Sequence, residues 1–163
     1  MTNILGVMLQ IRGYGVLLTG KSGVGKSLAA YTLLAQGIAQ LIADDVVQLT
    51  ETPAGLMAQA PPALFDRLEV RGLGIIQPSA HFGWTAIRRQ YPLNLVIELF
   101  AVQTPDDFQA QRIVPALKEW YHGIYSTPLL RLILVAPNSV GTYVDAAVRH
   151  WHIQNQRESL CAF

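Results

Sequence analysis

The chain has 163 residues, of which 51% are hydrophobic and 14% charged, and its formal net charge at pH 7 is +1. A chain of this size can bury a substantial core without disulfides, and its length excludes a second large domain. The low net charge, with no basic run longer than Arg88-Arg89, argues against a general nucleic-acid-binding surface. We therefore expect a single domain over residues 1–163 and no nucleic-acid partner.

The sequence shows no membrane span, no secretion signal and no pair of cysteines. The longest apolar stretches, 95–102 and 132–136, have the length of strands rather than of membrane spans. The N-terminus lacks the charged and apolar regions of a secretion signal. The single cysteine, Cys161, cannot form an internal disulfide, and we expect it to have no catalytic role so close to the C-terminus. We expect a cytoplasmic protein with no membrane partner.

The first predicted elements form a hairpin that leads into a strand–loop–helix unit. Alternating Val7, Leu9 and Ile11 predict a strand that turns at residues 12–15 into a second strand over 16–19. A helix over residues 28–35 follows, and we expect it to end near the glycine at position 37.

Residues 20–27, GKSGVGKS, lie between that strand and helix and are called the glycine loop below. They match the G-x-x-x-x-G-K-S pattern, in which backbone N–H groups and a helix N-terminus surround a polyphosphate. Lys26 is predicted to reach the outer phosphates and Ser27 a magnesium ion, and the alternative is a structural glycine turn. The predicted nucleotide-binding residues are Gly20, Lys21, Ser22, Gly23, Val24, Gly25, Lys26 and Ser27.

Shorter segments are predicted in the middle of the chain. Strands are expected over 39–43 and 46–50, followed by a turn over 51–55. Residues 58–64 contain two prolines and are expected to be irregular, whereas 68–76 is expected to be ordered around its glycines.

The last third of the chain is predicted to contain two further strands and a terminal helix. The strands cover 93–100 and 129–135, with partly helical structure over 105–120 between them. A turn at Pro137-Asn138 precedes a helix over 140–154, whose apolar positions share one face. Alternating strands and helices indicate one α/β domain.

Asp44-Asp45, at the end of the strand over 39–43, is the first candidate for catalysis. Phosphoryl transfer requires a magnesium anchor and a group that positions or deprotonates the nucleophile, both often carboxylates. We expect this strand to lie beside the strand over 16–19 and to direct its aspartates toward Ser27. One aspartate then faces the nucleotide and the other is structural. The alternative is a charged surface turn.

Further motifs lie beyond these aspartates. Residues 69–76 read EVRGLGII, residues 82–89 FGWTAIRR and residues 94–99 NLVIEL. These motifs follow the glycine loop and the Ala-Asp-Asp sequence in the order found in one known family, and Ala-Asp-Asp has that family's spacing from Ser27. In these features the chain resembles the catalytic domain of bacterial HPr kinase/phosphorylase. The resemblance extends most closely from residue 5 to about residue 100 and identifies a short form without the family's N-terminal domain.

This resemblance implies a fold and a set of site residues. The fold is α/β, with a P-loop and a central mixed β-sheet flanked by helices, as in HPr kinase and phosphoenolpyruvate carboxykinase. Asp44 is the proton acceptor and Lys26 the phosphate-binding lysine. The metal ligands are Ser27, Glu69 and Asp45, and the catalytic arginines are Arg71 and Arg112.

The resemblance also implies a function. It predicts an ATP- and Mg²⁺-dependent serine kinase that acts on a protein or peptide such as HPr and assembles as a homo-oligomer, a hexamer in the family. Leu5 stands where the family has a catalytic histidine, and residues 135–139 lack the family's Pro-Gly-Arg-Asn turn, so the kinase direction is favoured over phosphorylase activity. The alternatives are a catalytically impaired nucleotide-binding regulatory module and a kinase for a small hydroxylated metabolite.

Overall fold

The computed structural model describes residues 1–102, 117–134 and 139–161. Its strands are β1 Thr2–Leu5, β2 Val7–Ile11, β3 Tyr14–Thr19, β4 Ala39–Ala43, β5 Val46–Thr52, β6 Gly55–Gln59, β7 Leu68–Val70, β8 Gly74–Ile76, β9 Gln90–Pro92, β10 Leu95–Ala101, β11 Lys118–His122 and β12 Tyr125–Leu134. Its α-helices are α1 Lys26–Ala35, α2 Pro78–Phe82 and α3 Val140–Cys161, with short 3₁₀ turns at Pro62–Leu64 and Trp84–Ala86.

A six-stranded mixed sheet in the order β11-β12-β10-β3-β2-β4 is the largest of the sheets. Strands β3, β10 and β12 are parallel, whereas β2, β4 and β11 run antiparallel to their partners. A four-stranded antiparallel sheet has the order β1-β5-β6-β9, and β7 pairs with β8 in a hairpin. The predicted α/β fold with a mixed sheet is confirmed.

Two apolar cores lie on the two faces of the six-stranded sheet. Successive residues of a strand point to opposite faces, so Val16 and Leu18 of β3 enter one core and Leu17 the other. The first core contains α1 and α3 side chains such as Leu33 and Val144. The second core joins this sheet to the four-stranded sheet. This double burial explains the continuous apolar run that precedes the glycine loop.

The predicted neighbour of β3 is wrong. We expected the strand that ends at Asp44 to lie beside β3, but β4 pairs with β2, which lies between them. The hairpin partner β2 uses both of its edges and therefore separates β3 from β4. Asp44 still reaches the glycine loop, because Ser27 at the start of α1 donates a hydrogen bond to it.

Several predicted boundaries also differ from the structure. Part of the segment 58–64 belongs to β6, and β5 extends into the predicted turn, because these strands pair with each other. Residues 118–120 belong to β11 rather than to a helix, since β11 folds back on β12. The rest of the predicted helical stretch, 105–116, and the turn at 137–138 lie outside the described residues.

Helix α3 extends beyond its predicted end and closes the first core. Its stripe of Val144, Val148 and Trp151 is buried, as the sequence predicts. At its N-terminal end Asp145 accepts two hydrogen bonds from Arg12, which lowers the pKa of the carboxyl. Among the described residues, no helix is both long and apolar enough to span a membrane.

Candidate active site

The glycine loop leaves β3 at the carboxyl end of the parallel strands and is held against β10 and α3. Gly20 has φ +129°, and a Cβ there would stand 2.4 Å from the carbonyl oxygen of Leu99. A Cβ on Gly25, which has φ +105°, would lie 3.0 Å from a Val140 methyl group. Glycine is therefore required at both ends for backbone conformation and for space.

Lys26, the first residue of α1, folds back over the loop. Its Nζ donates to the carbonyl oxygens of Gly20 at 2.8 Å and Lys21 at 3.1 Å. Burial lowers the pKa of Lys26, although the negative charges of Asp44 and Asp45 oppose this shift. An ammonium has three donors, so one remains for an anion above the loop. Lys21 and Ser22, in contrast, are exposed on the outside of the loop.

Asp44 is the one charged residue among the buried side chains of the described segments, at 7% exposure. Its Oδ1 accepts a hydrogen bond from Ser27 Oγ at 3.0 Å, and its Oδ2 accepts one from the backbone N–H of Glu69 at 2.8 Å. Burial raises the pKa of Asp44, while these hydrogen bonds oppose the rise. A carboxylate oxygen has two lone-pair sites, so both oxygens keep acceptor capacity.

Asp45 differs sharply from its neighbour. It has φ +65° at the turn after β4, and its side chain is exposed. Its carbonyl oxygen accepts a hydrogen bond from Gly6 N at 3.0 Å, immediately after Leu5, whose side chain is 75% exposed. The structure therefore separates a buried aspartate that bonds the glycine loop through its side chain from an exposed one that bonds the residue after β1 through its backbone.

The β7–β8 hairpin brings the EVRGLGII motif to the loop. The guanidinium of Arg71 lies against Gly23, with Nη1 3.2 Å from the position that a Cβ would occupy. Glu69 contacts Asp44 through its backbone N–H, while its side chain is exposed. The hairpin therefore adds a cation to the loop and fixes the orientation of the buried carboxylate.

Lys26, Ser27, Asp44 and Arg71 thus come together, whereas Arg112 lies outside the described residues. The contacts that use backbone atoms are not predictable from the sequence motifs. The N–H of Glu69 and the carbonyl of Leu99 belong to the main chain, so the identity of these residues does not indicate their role.

The chemistry of these donors fits a magnesium ion. Hydroxyl and carboxylate oxygens are the hard donors that Mg²⁺ prefers, and it commonly binds through one or two carboxylates together with substrate phosphates. In the described segments no three His, Cys, Asp or Glu residues cluster into a metal site. Ser27, together with an exposed carboxylate such as Asp45 or Glu69, therefore suits an ion that is shared with a polyphosphate better than an ion held by protein alone.

Residues 1–161 match the family described as HPr Serine kinase C-terminal domain. Similar curated proteins include the HPr kinase/phosphorylase of Bordetella pertussis strain Tohama I, 36% identical over 152 residues, with 91% of this chain and 48% of the relative covered. Another is the HPr kinase/phosphorylase of Nitrosomonas europaea, 38% identical over 152 residues, with 91% and 46% covered. The chain thus spans about half the length of the curated relatives it matches.

A solved structure has a similar fold. The Hpr(Ser) kinase/phosphatase from Coxiella burnetii superposes with a TM-score of 0.85 at 23% sequence identity, covering 96% of this chain and 99% of that one. The agreement covers nearly all of both chains and supports the α/β arrangement described above.

Proposed function

The chain belongs to the HPr serine kinase C-terminal domain family, and on that premise we propose that it transfers the γ-phosphoryl group of Mg-ATP to a serine hydroxyl on a protein or peptide. The observation that carries this proposal is the buried carboxylate of Asp44, which is hydrogen-bonded to Ser27, the residue that follows Lys26 in the glycine loop, and whose negative charge acts on Lys26. Phosphate binding accounts for the lysine and the serine, whereas transfer to a hydroxyl also requires a group that accepts its proton.

The proposed reaction assigns each group a role. The loop N–H groups, Lys26 and Arg71 offset the charge of the transferred phosphoryl group. The serine hydroxyl oxygen of the acceptor forms a bond to the γ-phosphorus while the bond from that phosphorus to the ADP oxygen breaks. The hydroxyl proton passes to Asp44. Mg²⁺, when bound, neutralises charge on the phosphate oxygens, and Ser27 with Asp45 or Glu69 would hold it.

The acceptor we propose is an HPr-like protein, because the relatives that match this chain are named HPr kinase/phosphorylase. ATP and such an acceptor imply a cytoplasmic location, and assembly as a homo-oligomer is part of this proposal. The kinase direction is preferred over phosphorylase activity because Leu5 stands where the family has a catalytic histidine. Its apolar side chain precedes Gly6, which bonds the carbonyl of Asp45, and it cannot transfer a proton.

Labelled ATP tests the proposal and the identity of the acceptor together. The purified protein is incubated with Mg²⁺ and γ-labelled ATP, in separate reactions with HPr, with the host proteome and with pooled hydroxylated metabolites. We expect label on a serine of HPr or of one other protein. Label on a small molecule alone indicates a metabolite kinase, and nucleotide binding without any transfer indicates an impaired regulatory module.

The raised pKa of Asp44 predicts where activity is lost in acid. Burial raises this pKa above the ordinary aspartate value of 3.8, and the base must be ionised to accept a proton. The rate of phosphoryl transfer therefore falls as the pH decreases through the raised pKa. This loss occurs at a higher pH than it would if the base were an exposed aspartate. The measurement is kcat/KM against pH. An acid limb centred at or below the ordinary value contradicts the assignment.

A further inference from the structure

Glu98 and Arg131 form an ion pair on two central strands of the six-stranded sheet. Arg131 Nε donates to Glu98 Oε2 at 2.7 Å, and the side chains are 49% and 35% exposed, respectively. The register places Glu98 beside both Arg131 on β12 and Thr19, the residue before the glycine loop. A partly exposed pair contributes only about 0–1 kcal/mol to stability, so stability is a weak reason for two charges here.

The pair lies on the sheet face opposite α1. Ile97 and Leu99, the neighbours of Glu98, enter the core that contains α1 and α3. Because successive strand residues point to opposite faces, Glu98 and Phe100 face the other way. Val96, on that same face, belongs to the second core. Glu98 therefore marks the point where this core ends and the carboxyl edge of the sheet begins.

Arg131 extends from this point toward the carboxyl edge of the sheet. Its Cζ stands 5.9 Å from the ring centroid of Phe100, two residues further along β10 than Glu98. Between these two positions, the carbonyl of Leu99 contacts Gly20. Within the described segments, only Nε of the guanidinium donates a hydrogen bond. An aromatic ring, a planar cation and a carboxylate are thus grouped at the carboxyl edge of the sheet, on the strand next to the one that leads into the loop.

The strand order gives a bound nucleotide a direction. Asp44 follows β4, two strands from β3 on one side, whereas Arg131 is on β12, two strands from β3 on the other. A nucleoside whose γ-phosphoryl group lies at Lys26 and Asp44, and which continues along this strand order, passes the carboxyl ends of β10 and β12. Cations and aromatic rings stack on bases, and a carboxylate accepts hydrogen bonds from ribose hydroxyls.

We propose that Phe100, Arg131 and Glu98 form the nucleoside-binding part of the nucleotide site. The base stacks on the guanidinium of Arg131, which Glu98 and Phe100 orient, and the second oxygen of Glu98 accepts a ribose hydroxyl. This inference rests on the proposed function, because it requires the triphosphate to occupy the glycine loop.

Binding of ATP and of inorganic tripolyphosphate, each measured by calorimetry with Mg²⁺, tests the inference without an acceptor. Arg131→Ala should weaken ATP binding about 5- to 30-fold, the range for a cation stacked on a ring, and leave tripolyphosphate binding unchanged. Arg131→Lys, which keeps the charge without the planar group, should lose part of the ATP affinity. Arg149→Ala is the matched control, since Arg149 also bonds a carboxylate through Nε but lies on α3.

The outcomes separate this inference from the proposed function. If Arg131→Ala binds both probes as the wild type does, or raises only the KM for the acceptor, the nucleoside assignment is wrong and the kinase proposal stands. If the wild type binds neither probe, both are wrong. Tripolyphosphate binding also reports whether a variant is folded. If Arg131→Ala does not fold, the ATP affinity of Arg131→Lys relative to the wild type decides whether the nucleoside assignment is right.

Discussion

Asp44→Asn should slow phosphoryl transfer by several orders of magnitude while leaving the fold and nucleotide binding intact. Loss of a positioned general base costs about 10²- to 10⁴-fold in rate. The fold is retained because the new amide oxygen can accept from Glu69 N while its NH₂ group donates to Ser27 Oγ, reversing one hydrogen bond. Initial rates with γ-labelled ATP measure the loss.

Two controls accompany this variant. Its thermal unfolding temperature should equal or exceed that of the wild type, because burial disfavours the charged form of Asp44. Glu119→Gln removes an exposed carboxylate from the edge strand β11 and should leave the rate unchanged. If Asp44→Asn transfers phosphate at the wild-type rate, Asp44 is not the base.

Lys26→Met should have the second large effect, on nucleotide binding itself. The substitution keeps most of the apolar stem and removes the ammonium that lies over Gly20 and Lys21. A hydrogen bond to a charged group contributes roughly 1.5–3 kcal/mol, so the Kd for Mg-ATP should rise about 10- to 150-fold. Calorimetric titration measures the change.

Lys118→Met provides the matched control for this lysine. Lys118 is exposed on β11, at the sheet edge away from Asp44. Its replacement should leave the affinity for Mg-ATP unchanged. Equal affinities for Lys26→Met and the wild type would show that Lys26 does not bind the phosphates.

The parts of the site predicted from sequence are those that local chain geometry determines. Glycines at positive φ, an apolar strand before them and a helix after them define the loop within one segment. Asp44 was singled out by its place at the end of β4. Its burial and its two hydrogen bonds could not be predicted, since one of them comes from the backbone of Glu69, 25 residues further along the chain.

Features that depend on strand pairing were harder to predict. The insertion of β2 between β3 and β4 follows from which edges pair, and a strand's own residues do not specify its partners. Glu98 and Arg131 are 33 residues apart and meet only through the register of β10 and β12. The short strand β6, bounded by Gly55, was missed for the same reason.

The central claim is that Asp44 and Lys26 act on the same bound nucleotide. The most direct measurement is a single-turnover reaction with enzyme in excess over γ-labelled ATP and a serine-containing acceptor protein, for the wild type and for Asp44→Asn. We predict that both bind Mg-ATP with similar Kd and that labelled phosphoserine forms about 10²- to 10⁴-fold more slowly with the variant. Equal label transfer by both proteins, or binding without transfer by the wild type, would contradict this account.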